Sequence, residues 1–144
     1  EFGAVAPDDP RPRDAIVAAR VFADGADRSN RQRTAAFAAH RAAKGVPTEP
    51  ARLAALACGD ASAAAYLHPI PRATQVGHIL RAAACAARVA ELTTGDGDAA
   101  VRALAERAAP PLPEILRRYP AAPRGSTWVA ELMSALDSAI RLRA

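Results

Sequence analysis

Alanine occupies 40 of the 144 positions, and it recurs at helical spacing between prolines and glycines. Alanine is the best helix former, while valine and isoleucine, which strands favour, are few. A methyl group cannot bridge a wide gap, so alanine-lined helices bury surface only by approaching one another closely. The expected fold class is therefore all-α: a single-domain, compact helical bundle of about six or seven helices. A chain of this length is one domain by default. It can bury roughly 70% of the surface its unfolded form exposes.

The breakers divide the chain regularly. Pro10 and Pro12 open a first helix that Gly25 closes, with Asp9 placed as N-cap. Ser29 or Asn30 caps a second helix running to Lys44, with Gly45 just beyond its end. Thr48 caps a third, from about Glu49 to Tyr66, weakened in its middle by the Gly59-Asp60 pair. A fourth runs from Pro71 or Arg72 to about Thr93, with Val76, Ile79, Leu80, Ala83 and Ala87 inward. "TTGDGD" reads as the most mobile loop, and Asp98 as the cap of a fifth helix to about Ala109. A short helix fits between Pro113 and Pro120. Ser126 caps the last, whose stripe is Val129, Leu132, Met133, Leu136 and Ile140. Residues 1–7 stand apart from the domain over 8–144, as the remnant of a preceding helix or as added residues.

Charge excludes little. The formal net charge is +4, and 18 of the 19 basic residues are arginine, Lys44 being the exception. Such arginine and alanine usage follows from a G+C-rich genome, and the basic residues are scattered. A solvated surface is favoured over a phosphate-binding face. No nucleic-acid partner is expected. Cys58 and Cys85 lie in alanine-rich helical stretches and read as small buried thiols, not a disulfide. No apolar run approaches the ~20 residues that span a bilayer. No signal peptide is visible, and the expected location is cytoplasmic.

Catalytic patterns are missing. No H-E-x-x-H, paired C-x-x-C, G-x-S-x-G or glycine-rich phosphate loop occurs. His78 and Cys85 share a helical face, but seven residues rise about 10.5 Å. Zinc ligands at about 2.0–2.3 Å from one ion cannot be so far apart. Asp8, Asp9 and Asp14 cluster at a helix start, where they face the positive end of its dipole. No catalytic residue, metal ligand or cofactor is assigned.

Two segments are polar in a way packing does not demand. In "DDPRPRD", Arg11 and Arg13 oppose the dipole of the helix they begin. Either they pair with Asp8, Asp9 or Asp14, or the corner holds an acidic group of a partner bidentately. In "HPIPRATQVGHILR", His68 is pushed by Pro69 towards extended geometry, and His78 lies at the edge of an apolar stripe. Each histidine is read first as a hydrogen-bonded structural residue and second as a ligand contact. For His40 the structural reading is stronger.

"DDPRPRDAI", "AAFAAHRAA" and "AAYLHPIPRATQVGHILRAAACAARVAEL" together resemble the actinobacterial members of the immunity-protein-five-like family. "LRRYPAAPRGS" and "ELMSALD" extend the likeness, which covers most of residues 8–137. The family's motif positions fall on Arg11, Pro12, Arg13, His40, His68, Pro69, Thr74, Gln75, Val76 and His78. The resemblance implies a helical cytosolic protein that neutralises a toxin of a bacterial polymorphic toxin system. The expected role is that of a non-enzymatic interaction protein whose partner is a cognate protein toxin. The expected partner-binding residues are Arg11, Arg13, His68, Arg72, Gln75, His78 and Arg81. The alternative is a helical protein that binds a metal or small molecule through His68 and His78. A nucleic-acid-binding helix carrying Arg81 and Arg88 ranks last, because Glu91 shares their face. Small-residue helix faces make a homodimer an option.

Overall fold

A computed structural model describes residues 1–143 and is all-α among them. The helices group into two compact units, Glu1–Leu67 and His68 onward. The first contains α1 (Phe2–Val5), α2 (Arg11–Ala23), α3 (Asn30–Ala42) and α4 (Glu49–Ala63). Single 3₁₀ turns at Ala43–Gly45 and Ala64–Tyr66 follow α3 and α4. The second contains α5 (Ala73–Thr94), α6 (Gly97–Glu106), α7 (Leu112–Arg117) and α8 (Trp128–Arg141).

In the first unit α2, α3 and α4 pack pairwise. Ala15, Ala18, Ala39 and Ala55 are fully buried, and Leu53 is the large apolar side chain at the centre. Alanine contributes little area per residue, so polar ties supplement the packing. Gln32, 1% exposed, donates from Nε2 to the carbonyl of Ala18 on α2. The Ser62 hydroxyl on α4 donates to the carbonyl of Gln32 at 2.9 Å. Gln32 also completes a capping box with Ser29, accepting the Ser29 N–H at 3.0 Å. One side chain thus starts α3 and joins it to α2, as a capping box allows when its N3 residue is buried. Phe2 of α1 is buried against Ala42, Ala43 and Ala55.

The second unit has larger side chains inside. Val76, Leu80, Leu116 and Leu136 are essentially inaccessible, and Ile140, Val101 and Ala84 join them. α5, α6 and α8 pack pairwise around this cluster, and α7 lies on α8. Asp137, buried on α8, accepts the N–H of Ala122 and the Nε–H of Arg141. Arg141 then donates to the carbonyls of Tyr119 and Pro120. The proline-rich connector is thereby tied to α8 by satisfied buried groups. "TTGDGD" is shorter as a loop than the sequence suggests. α5 continues through Thr94, Gly95 takes the left-handed conformation (φ +80°), and Asp96, not Asp98, caps α6 by accepting the Ala99 N–H. Likewise Thr127, not Ser126, caps α8.

Candidate functional site

The arginine-proline corner sits where α2 begins. Proline suits this position, because its missing N–H would find no helical acceptor there. Asp9 accepts the backbone N–H of Arg11 and both Nε and Nη2 of its guanidinium, the last at 2.6 Å. Of the two sequence readings for Arg11, internal pairing is the one realised, with Asp9 as the acid. The hydrogen bonds from Arg11 hold the Asp9 carboxyl below the ordinary aspartate range and push the guanidinium up. Arg13 is exposed and has no hydrogen bond or ion pair among the described residues. A cavity of about 410 Å³ touches Arg13, Pro12, Asp8 and Phe2. Another, of about 580 Å³, lies between Arg11 and Asp14 of α2 and Arg31, Thr34 and Ala38 of α3.

The 68–81 segment belongs to the second unit. The His68 N–H donates to Gln75 Oε1 at 3.1 Å, and the Tyr119 hydroxyl donates to the His68 carbonyl at 3.0 Å. The loop ahead of α5 is therefore held by its backbone. Gln75, half-buried, has its carbonyl oxygen committed to that loop. Val76 and Leu80 face the core, which turns Thr74, His78 and Arg81 outward at i, i+4 and i+7. His68, Arg72, His78 and Arg81 are all exposed. Neither the His68 nor the His78 ring is hydrogen-bonded among the described residues, so the hydrogen-bonded structural role first given to them does not apply. Of the expected contact residues, Arg11 and Arg13 fall in the first unit and the other five in the second.

The hydrogen-bonded histidine is His40. Its Nε2 lies 3.1 Å from Oδ1 of Asp60, whose side chain is only 7% exposed. α3 and α4 approach closely enough for this because residue 59 is glycine. A Cβ there would stand 2.5 Å from His40 Nε2 and 3.0 Å from the Ala36 carbonyl oxygen. Sequence reasoning noted Gly59-Asp60 only as a weakness in α4. The available signal was a glycine beside an acid in an otherwise alanine-rich helix, which marks close approach of another element.

Other chemistry is sparse. Cys58 and Cys85 are free thiols, and burial pushes the Cys58 thiol up, away from the reactive thiolate. Among the described residues no three His, Cys, Asp or Glu side chains gather as a metal ion would need. No helix among them is long and apolar enough to cross a membrane. The exposed arginines and imidazoles on ordered backbone can form charge-assisted hydrogen bonds with a partner.

Comparison with curated proteins and with solved structures gives no match. A family profile described as Imm-5 like putative immunity protein matches residues 1–114, from α1 into α7. The matched span includes the arginine-proline corner, the His40–Asp60 contact and the whole 68–81 segment. The chain belongs to the Imm-5 like putative immunity protein family.

Proposed function

We propose that this protein neutralises a bacterial protein toxin by binding it in the cytoplasm of the cell that makes both. Family membership over residues 1–114 is the observation that carries this reading. The geometry supports it in a second way. Arg13, His68, Arg72 and His78 are exposed on defined backbone, with no internal hydrogen bond or ion pair among the described residues to satisfy them. Blocking a toxin requires complementary shape and charge, not a nucleophile. In the first unit Arg11 positions the corner through Asp9 and leaves Arg13 for a partner; in the second, Gln75 positions the loop through His68 and leaves Arg72 and His78.

The test is co-expression with the toxin domain encoded beside this gene. Cells carrying the wild-type chain should grow, and the two proteins should co-elute. Continued toxicity with no complex, from a soluble and folded chain, would refute the proposal.

A further inference from the structure

The charges of α3 do not fit the scattered pattern elsewhere. Between Asp27 and Glu49 there are five cationic side chains and no carboxylate. The first turn of α3 holds no acid, and Arg31 and Arg33 stand at the positive end of its dipole. That placement opposes stability. Arg11 and Arg52 of the same unit pair with Asp9 and Glu49. Arg31, Arg33 and Arg41 have no ion pair among the described residues. Arg33 gains a ring contact with Tyr66 in return, whereas Arg31 breaks the local rule with no ion pair to offset it.

The face is also ordered and apolar at its centre. Arg33, Phe37 and Arg41 follow at i, i+4 and i+8, all exposed, with Phe37 57% accessible. Arg28 and Arg33 stack on Tyr66, each 5.1 Å from the ring centroid. The Tyr66 hydroxyl donates to the Ser29 carbonyl at 2.8 Å, which fixes the ring. Side chains held this way lose less freedom on binding. The cavity of about 580 Å³ beside Arg31 and Thr34 adds a recess along the flank.

We infer that the outer face of α3 is a docking surface for an acidic segment of the protein partner, whose carboxylates meet Arg33 and Arg41 on either side of an apolar contact on Phe37. This rests on the toxin-binding reading and names the chemistry of the partner. Charge complementarity selects an acidic occupant. A protein is favoured over a nucleic acid because the toxin-binding reading supplies a protein partner and the exposed Phe37 suits an apolar anchor.

The experiment is fluorescence anisotropy with the purified full chain. The probes are a labelled peptide of Glu and Asp around one leucine, and a duplex DNA of equal charge. The peptide should bind, more weakly as salt rises. Arg33→Glu with Arg41→Glu should weaken it roughly tenfold, and Phe37→Ser should weaken it several-fold. Neither change should lower helicity. The matched charge change on α6, Arg102→Glu with Arg107→Glu, should have little effect. Absence of peptide binding, tighter binding of DNA, or equal losses from the α6 variant would overturn the inference. The growth assay separates the two claims. If the wild type protects and Arg33→Glu/Arg41→Glu protects equally, the docking surface is wrong and the function stands. If the peptide binds as described and the wild type gives no protection, the function is wrong.

Discussion

Replacing Gly59 with alanine tests how α3 and α4 are joined. In a helix interior the change from glycine to alanine is worth about 1 kcal/mol in favour of folding. Here the new methyl would stand 2.5 Å from His40 Nε2, closer than real contacts allow. The ring is 28% exposed, so it can swing outward, but it then leaves Asp60. Loss of a hydrogen bond at a buried acceptor costs about 1–3 kcal/mol. The residual crowding against the Ala36 carbonyl, 3.0 Å away, adds an overpacking penalty of similar order, about 1–3 kcal/mol. The net expectation is a destabilisation of about 2–3 kcal/mol, where propensity alone forecasts a gain. In a His40→Ala background the ring is gone and only the crowding against the Ala36 carbonyl opposes the helix-propensity gain, so the same substitution should lie between neutral and about 2 kcal/mol destabilising. The two positions should therefore couple by about 1–3 kcal/mol in a double-mutant cycle, the value of the His40–Asp60 hydrogen bond. Urea denaturation followed by far-ultraviolet circular dichroism supplies the four midpoints. Additive effects, or a Gly59→Ala protein more stable than the wild type, would refute the reasoning.

Three further outcomes follow from the same contacts. Gln32→Ala removes the tie to Ala18 and half of the capping box, and should lower the stability of the first unit by about 2–3 kcal/mol in the same urea experiment. The Asp9 carboxyl should titrate below the ordinary aspartate range by NMR, and Arg11→Ala should return it to that range. Because its value is lowered on folding, its contribution to stability is present above the ordinary value and is lost as pH falls through the lowered one. Cys58, whose thiol is pushed up by burial, should react far more slowly with iodoacetamide at pH 8 in the native protein than in denaturant.

Much of the fold was legible because the breakers carry local physical meaning. Ser29 followed three residues later by Gln32 is a capping box, and it starts α3 where expected. Proline near the start of α2 and α4 behaves likewise. Errors arose where side chains adjusted the ends. Thr93 and Thr94 return their hydroxyls to the carbonyls of Val89 and Ala90, so α5 absorbs residues that looked like a loop. α1 is four residues long and was invisible to periodicity; burial of Phe2 maintains it. The candidate site was legible in part. The exposure of His78 and Arg81 follows from helical spacing opposite Val76 and Leu80. The His40–Asp60 contact did not, since it joins residues twenty apart on different helices. The cationic face of α3 was present in the sequence, but chain-wide charge counting diluted it. It became distinct only when Arg11 and Arg52 of the same unit were seen to be paired.

The most direct test of the account is a titration of the toxin domain's activity with the purified protein, with the mass of both chains checked afterwards. Binding predicts that inhibition rises linearly and ends at a fixed molar ratio, with neither chain covalently changed. Full inactivation by a small fraction of an equivalent, or a mass change in the toxin, would contradict it and would make the protein an enzyme.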